Sequence, residues 1–529
     1  MKKDCLLIGH NEMSFNDYKS QLSGYKGAAF ELQYNYIEDS QGNAYTYHDM
    51  YNMSANQRIL NKYGKWCFGQ NLNAAISYLG SFLDKHDLSF DYINAFQTQK
   101  GLLADMLKNN EYRVIAISTT FYFSVFPIRE IMGFIKSYKP SASIVLGGGY
   151  VLTNMRYEDI ATRKIIHRAI KADYYIVNSK GEQTLVNIIH AIKTGKSIIG
   201  MDNVTCFDGN KIIEGSYVPE DNSLDDNLIQ FNLFTRDLGY YVAMRTAISC
   251  PFQCSFCEFP QRAGKFSNIS IASIKKQMDR INEIESIKSV YITDDTFNYP
   301  KDRFKEILRM MIKQNYRFHW HSFIRCQFLE EEVVELMKES KCEGILMGIE
   351  SASEKMLKIM RKGATVEDYY RAMSMLNKYD ITTFMSFVVG FPGETRETFN
   401  ETLSFIKETK PDFFRPHVWH ASPFIPIMKE KDKYGIEGYN YEWKHNTMDA
   451  KGAMNLYNRL YQEIDDTTWC PMYNFDFPGV PQFLAREMSI QMVRQSLDYF
   501  RYINRLQINK SNAPDFEQVK TTMKGIINQ

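Results

Sequence analysis

The sequence predicts an α/β fold: an N-terminal doubly wound parallel sheet, then a partial (β/α)6 barrel, then a small helical C-terminal region. Two observations carry this. Short apolar runs alternate with helical patterns of about a dozen residues between positions 4 and 194, and a second such alternation runs from 240 to 420; strands separated by helices of that length imply parallel pairing. A chain of 529 residues also exceeds what one hydrophobic core organises, so two or three domains are expected.

In order, residues 4–9 read as a strand, and 18–69 as an insertion rich in Tyr, Asn and Gly with weak periodicity. Helix is expected at 72–86, strand at 90–95, helix at 100–109, strand at 113–118 and helix at 127–138. A strand at 143–146 runs into Gly147-Gly148-Gly149, and 173–177 and 183–194 form the last strand and helix of the set. Asp208-Gly209-Asn210 is the turn of a hairpin within 203–218. The acidic, polar stretch from Pro219 marks a linker, 219–236, which closes a first domain of residues 1–218. Barrel strands are expected at 240–248, 289–293, 317–324, 344–349, 383–389 and 414–420, with helices such as 271–284 and 330–340 between them, giving a domain over 237–430. Residues 431–529 read as a helical, aromatic cap. Ligands of open parallel sheets, and the chemistry of barrels, gather at the carboxyl ends of the strands.

Composition narrows the function classes. A net charge of +1 gives no reason to expect nucleic acid or an anionic membrane as partner, since such surfaces call for a basic excess. The apolar run at 5–8 is far shorter than a signal-peptide core, and no run approaches the roughly 20 residues of a membrane span. A cytoplasmic protein is expected. Nine cysteines, an odd and scattered set, do not read as a disulfide framework. The aromatic share of 14% fits large cores better than a binding stripe.

Three of the nine cysteines crowd into Cys250-Pro-Phe-Gln-Cys254-Ser-Phe-Cys257, directly after a predicted strand. Thiolates at C-x3-C-x2-C on one loop can bind three irons of a 4Fe–4S cubane, leaving the fourth iron open to a small molecule. The alternative is zinc, which prefers four protein ligands and paired C-x2-C knuckles; Cys206 and Cys326 are the nearest other cysteines, and neither has knuckle spacing.

This loop, with Phe256 at its aromatic position, resembles the radical S-adenosylmethionine (SAM) superfamily, and later strand ends match that pattern in order over about 240–425. Thr293-Asp294-Asp295-Thr296-Phe297 stands where the family holds the SAM amino group. Arg325, after Trp320-His321-Ser322-Phe323-Ile324, is placed to pair with the SAM carboxylate. Glu350, followed by Ser351, resembles the acceptor for ribose hydroxyls, and Gly390 opens the Gly390-Phe391-Pro392-Gly393 turn beside adenine. Taken singly, each has an ordinary reading: an Asp pair caps helices, an Arg forms surface ion pairs, Gly-Phe-Pro-Gly is a turn.

A parallel sheet ahead of such a barrel resembles the cobalamin-dependent branch of the superfamily, with a Rossmann-like cobalamin domain. The resemblance implies that the corrin lies against Ser118, Thr119 and Thr120 and against Gly147, Gly148, Gly149 and Tyr150, with Gly181 and Glu182 as the branch's glycine–glutamate turn. Hydroxyls at Ser118 and Thr119 would bond its amide arms. The D-x-H-x-x-G signature of cobalamin mutases is absent; the first strand ends Gly9-His10-Asn11-Glu12-Met13, where His10 is either a cobalt neighbour or an ordinary loop histidine. A sheet that only scaffolds, without the cofactor, is the alternative. Phe90-Asp91-Tyr92-Ile93-Asn94-Ala95-Phe96-Gln97 and Trp443-Lys444-His445-Asn446-Thr447-Met448-Asp449 further resemble the P-methyltransferase family of phosphinothricin-type peptides.

The resemblance implies a class B methyltransferase. Reductive cleavage of SAM yields a 5′-deoxyadenosyl radical that takes hydrogen from an unactivated C–H or P–H centre, and methylcobalamin then methylates that centre. It implies a one-electron reductant such as flavodoxin or ferredoxin, and a small-molecule or peptide substrate. His417, His420 and His445 could line the substrate cavity or be ordinary satisfied histidines. Two other readings stay open: a cobalamin radical SAM enzyme that cyclises or rearranges without methylating, and a cluster- and cobalamin-binding sensor.

Overall fold

The computed structural model describes residues 2–22, 30–473 and 476–529. The chain divides into two compact units: Met1–Met13, Gly69–Ser249 and Phe259–Ile287 form one, and Ser14–Phe68, Cys250–Glu258 and Lys288–Gln529 the other.

The first unit is built on β1 (Lys2–His10), β2 (Phe90–Ala95), β3 (Glu111–Ser118), β4 (Ile144–Gly147), β5 (Tyr174–Ile176), β6 (Val204–Asp208) and β7 (Lys211–Glu214), in the sheet order β2-β1-β3-β4-β5-β6-β7. The first five are parallel, and the β6–β7 hairpin adds antiparallel to β5. Cys5, Leu6, Leu7 and Ile8 are wholly buried, which is why β1 reads as a continuous apolar run: a central parallel strand is covered on both faces. Helices Ala74–Lys85, Lys100–Asn109, Phe126–Tyr138 and the pair Gly149–Arg156 and Ile160–Ile170 make the crossovers between parallel strands, and Glu182–Thr194 leads to the antiparallel hairpin. Asn73 starts the first of these, its side chain accepting the N–H groups of Ala75 and Ile76.

Two local expectations change here. The stretch 219–236 is not a free tether: Leu224, Ile229, Phe231 and Phe234 are buried, and the Phe234 ring packs 6.1 Å from that of Phe90 and 5.3 Å from that of Tyr92. Its polar residues advertised a linker while its phenylalanines anchor it. The single strand expected at 240–248 splits into β8 (Tyr241–Met244) and Ala247–Ile248. The Arg245 N–H leaves the ladder for the Tyr78 hydroxyl at 2.9 Å, and Ala247–Ile248 pairs antiparallel with Ser267–Asn268.

The second unit holds β9 (Ser289–Ile292), β10 (His319–Ile324), β11 (Cys342–Glu350), β12 (Thr382–Val389), β13 (Phe413–Val418) and β14 (Thr468–Trp469), each parallel to the next. Helices Lys301–Gln314, Glu331–Glu339, Val366–Lys378 and Arg396–Thr409 alternate with them. Side chains alternate along the strands. Val290, Ile292, Ile324, Ile345, Met347, Met385 and Phe387 are buried on one face, whereas Tyr291, Phe323, Gly348, Ser386, Val388 and His417 on the other stay half-buried. That second, inner face carries the strand-end residues of interest. At its other end Phe477 packs against His321 at 5.5 Å and Phe384 at 5.6 Å.

The C-terminal region departs from an all-helical cap. Helices Ala450–Glu463, Asp476–Ala485, Ile490–Ile508 and Phe516–Ile527 are present, but β14 extends the barrel sheet and Glu437–Tyr439, Glu442–His445 and Met448–Asp449 form a small sheet of their own. The segment expected as an insertion in the first domain belongs to the second unit. Its aromatics explain this: Tyr34 packs, tilted or edge-on, among Tyr457, Tyr461 and Trp469, and the Tyr47 hydroxyl meets the Ser496 hydroxyl at 2.6 Å. Residues 23–29 of that segment lie outside the described residues. No helix of the described residues is long and apolar enough to cross a membrane.

Candidate active site

The cysteine loop is held by its serine. Ser255 is fully buried; its N–H donates to the Met360 carbonyl at 2.9 Å and its hydroxyl to the Ile359 carbonyl at 2.7 Å. The Ile427 N–H in turn donates to the Ser255 carbonyl at 2.9 Å. With that residue fixed, Cys254 is buried while Cys250 and Cys257 are half-buried. Cys250 Sγ lies 3.4 Å from Thr296 Oγ1, at the end of β9. Among the described residues no three His, Cys, Asp or Glu side chains converge on a point that could hold one metal ion. A zinc ion needs such convergence at about 2.0–2.3 Å, whereas each thiolate of a cubane binds a different iron. Three cysteines on one loop, with no further cysteine in knuckle spacing, suit the cluster better than zinc.

Arg325 follows β10, is 8% exposed, and reaches the loop. Its Nη1 donates to Cys254 Sγ at 3.7 Å, its guanidinium lies 3.9 Å over the Phe252 ring, and its Nη2 donates to the Lys362 carbonyl. Its Nε is buried without a hydrogen-bond partner, an orphaned donor of the kind a bound carboxylate would satisfy. The Asn298 side chain clamps the Arg325 backbone at both its N–H and its carbonyl.

Glu350 ends β11 at a bulge, where the register to β12 slips between Gly348 and Glu350 and the backbone takes φ 65°. Bulges of this kind re-aim a side chain. The carboxylate accepts from Lys362 Nζ at 3.0 Å, both side chains being almost fully buried, and that ammonium also lies 5.6 Å from the Phe256 ring. Phe256 meets Phe391 edge-on at 6.3 Å, so the aromatic position of the loop touches the Gly-Phe-Pro-Gly turn. Cys254, Phe256, Arg325 and Glu350 are thus linked through Lys362, while Cys250 contacts Thr296.

Other expected residues divide. Asp294 is buried; Asp295 is exposed, and desolvation by the surrounding chain, with Asp294 next to it, raises its carboxyl above the usual carboxylate range. Ser351 is fully buried with its hydroxyl 3.2 Å from Thr402 Oγ1. The Gly390 N–H donates to Glu394, whose carboxyl burial pushes up to about 8 against the pull of that N–H. The Gly390 carbonyl meets His445 Nε2 at 3.1 Å, and that imidazole stacks on Trp443. His445 therefore secures the turn. His417 accepts from Arg415 Nε at 3.1 Å on the inner face of β13, and His420 sits edge-on to Tyr441.

The strand ends of the first unit form a second, separate constellation. Thr119, expected to bond the corrin's amide arms, is fully buried instead, its hydroxyl donating to the Gly147 carbonyl at 2.8 Å and accepting from the Val151 N–H. It pins the glycine loop to β3. Ser118 and Thr120 keep exposed hydroxyls 3.1 Å apart. Gly148 has φ +107°, and a Cβ there would come within 2.9 Å of the Thr120 nitrogen. The Tyr150 N–H donates to the Thr119 carbonyl, and Gly149 begins the helix Gly149–Arg156. Beside this platform Phe121 and Phe123 are 47% and 92% exposed, apolar surface that a large flat ligand would cover. The platform fits a corrin. Gly181 caps the helix Glu182–Thr194, and Glu182 is buried, its Oε1 accepting from Asn227 at 3.1 Å and Arg245 at 3.2 Å while its Oε2 has no hydrogen-bond partner. Burial holds the His10 imidazole down at about 4, hence neutral; its ring stacks on Tyr122 and meets Phe121 edge-on.

Sequence reasoning missed Ser255, Lys362, Glu394 and Glu31. The last is a buried carboxyl that accepts from the Val418 N–H at 2.9 Å and that burial pushes up to about 7. Only Glu394 carried a signal, as the residue completing the Gly-Phe-Pro-Gly turn.

Residues 244–406 match the family model of the radical SAM superfamily. A Pyrococcus horikoshii protein named an uncharacterized methyltransferase is 24% identical over 64% of this chain and 73% of its own length. The anaerobic magnesium-protoporphyrin IX monomethyl ester cyclase of Cereibacter sphaeroides is 25% identical over 68% of this chain and 62% of its own. The bacteriochlorophyllide d C-12(1)-methyltransferase of Chlorobaculum tepidum is 29% identical over 41% and 49%. Among solved structures, the radical SAM methyltransferase TsrM of Kitasatospora setae, with cobalamin and a [4Fe-4S] cluster bound, aligns with a TM-score of 0.58 at 16% identity over 82% of this chain and 75% of TsrM. The cobalamin-dependent radical enzyme OxsB aligns at 0.55 and 15% over 88% and 56%. Cysteine loop, strand-end residues and matched model agree: residues 244–406 carry a radical SAM domain, and the chain is built on the fold that TsrM and OxsB share.

Proposed function

We propose that the chain is a cobalamin-dependent radical SAM methyltransferase that acts on an unactivated C–H or P–H centre of a small molecule or peptide. One observation carries this reading. A cysteine loop tied to Arg325 and Glu350 occurs in the same chain as a parallel sheet whose strand ends present Gly148, exposed hydroxyls and exposed phenylalanines. The methyltransferase names of two relatives and of TsrM support it.

When bound, a 4Fe–4S cluster and SAM supply a 5′-deoxyadenosyl radical and cobalamin supplies a transferable methyl group; such cofactors carry the hard chemistry while the protein binds, orients and excludes water. Cys250, Cys254 and Cys257 would hold three irons. Arg325 offsets the charge of the Cys254 sulfur by an N–H···S bond and presents its orphaned Nε to a carboxylate. Glu350 offers a carboxylate oxygen to hydroxyls, and Phe256 with Phe391 closes an apolar wall. The Ser118–Thr120 and Gly147–Tyr150 loops would carry the corrin. A flavodoxin- or ferredoxin-type protein is the reductant.

The test is anaerobic reconstitution of the full chain with iron, sulfide and hydroxocobalamin, followed by reduction in the presence of SAM. Formation of both 5′-deoxyadenosine and S-adenosylhomocysteine is the expected outcome. Deoxyadenosine alone would replace methylation by cyclisation, the activity named for the Cereibacter relative. Cobalamin binding with SAM left intact would sink the enzymatic reading of the site.

A further inference from the structure

The turn that follows the helix Glu354–Ile359 bonds three parts of the radical SAM site. The carbonyls of Ile359 and Met360 accept from Ser255, so the cysteine loop hangs on them. The carbonyl of Lys362 accepts from Arg325, and its ammonium bonds Glu350. Three residues of one four-residue turn thereby bind the loop, the β10 end and the β11 end. Arg361, between them, has φ 50°, a conformation non-glycine residues adopt only where surrounding structure imposes it.

The ion pair is built into the strand. Gly348 lies one pleat before Glu350, and a Cβ there would fall 2.4 Å from Glu350 Oε1 and 3.1 Å from Lys362 Nζ. The absence of a side chain at 348 is what leaves room for the pair. The bulge at Glu350 then turns the carboxylate onto the ammonium. Burying both charges costs several kcal/mol unless the geometry is good, so a buried pair with a dedicated vacancy beside it is a poor choice for stability alone.

We infer that Lys362 is a positioning residue for the SAM nucleoside. It holds one oxygen of Glu350 so that the other faces the ribose hydroxyls, while the backbone of the same turn independently fixes the cysteine loop. This rests on the radical SAM reading and assigns to it a residue outside the superfamily pattern described above. Lys362 acts through Glu350 and need not touch the substrate.

The division of labour between side chain and backbone makes it testable. The probes are S-adenosylhomocysteine and its 2′,3′-dideoxyribose analogue, titrated calorimetrically into the anaerobically reconstituted full-length protein and its Lys362→Met and Lys362→Arg variants. Wild type should bind the parent compound at least about ten-fold more tightly than the analogue, the scale of one charge-assisted hydrogen bond. Lys362→Met should keep wild-type iron content, lose about ten-fold for the parent compound, and no longer distinguish the two ligands; Lys362→Arg should restore part of the distinction. Unchanged affinity in Lys362→Met, or weaker binding that keeps the full wild-type distinction, would overturn the inference, the latter because a merely structural lysine shifts both ligands alike. Loss of iron in both variants would overturn the independence of loop and ion pair. A wild type that binds neither ligand would instead refute the radical SAM reading beneath it.

Discussion

Glu394 is a buried carboxyl, 2% exposed, that accepts from the Gly390 N–H. Burial raises it to about 8 from an ordinary 4.5, so the folded chain binds its proton more tightly than the unfolded chain does. Its contribution to stability is complete below pH 4.5 and is lost as pH rises toward 8. Glu394→Gln keeps an oxygen for Gly390 and removes the titration. The variant's thermal midpoint should gain on wild type between pH 6 and pH 8.5; a constant difference across that window would mean that the carboxyl is not desolvated in solution. Legibility at this scale follows chain separation. Cys250, Cys254 and Cys257 lie within eight residues, and their spacing alone states their chemistry. Lys362 bonds Glu350 twelve residues away through a turn and a bulge, and nothing in Met360-Arg361-Lys362-Gly363 distinguishes it from a solvated basic turn. Thr119 shows the opposite failure: a hydroxyl at a strand end invites a ligand, yet its own neighbouring loop takes it.

Strands and crossover helices were legible because burial on two faces, or on one stripe, leaves a period in the sequence. The fate of the segment Ser14–Phe68 was not, because its partners lie some 400 residues onward and no period records them. Trp66 shows what joins it: 1% exposed, stacked on Phe483 with centroids 5.3 Å apart, and donating from Nε1 to Gln482 at 2.9 Å. Truncating such a ring costs about 3–5 kcal/mol, and the buried Gln482 oxygen would lose that donor. Trp66→Ala should therefore make the segment the first site of limited proteolysis, at least about ten-fold faster than wild type, while Trp66→Phe falls between. Cleavage at equal rates in all three proteins would mean that other aromatic contacts, such as those of Tyr34 and Tyr47, suffice. The β14 strand was missed for a related reason. Thr468-Trp469 is only two residues long, too short for any periodicity, and its pairing is set by β13 and the helices that flank it.

At the scale of the molecule, composition placed the chain among globular proteins without a basic excess, but could not say that two separate strand-end constellations exist. That required the register of two separate sheets. The residues of the cysteine site all belong to the second unit, and those of the Ser118–Thr120 and Gly147–Tyr150 platform all belong to the first. Each platform is closed by bonds within its own unit: Thr119 to Gly147 in one, Ser255 to Ile359 and Met360 in the other. Loading of the two cofactors should consequently be separable. Gly148→Ala puts a methyl group within 2.9–3.0 Å of the Thr119 and Thr120 nitrogens at φ +107°, a backbone state that alanine resists; most of the cobalamin should be lost on desalting while iron content stays at the wild-type level. Cys254→Ala should do the reverse, losing most of the iron and retaining cobalamin. Iron and cobalt measured on the same desalted samples decide the matter, since a variant that loses both metals would show that one platform cannot form without the other, and Gly148→Ala with full cobalamin would move the corrin away from these loops.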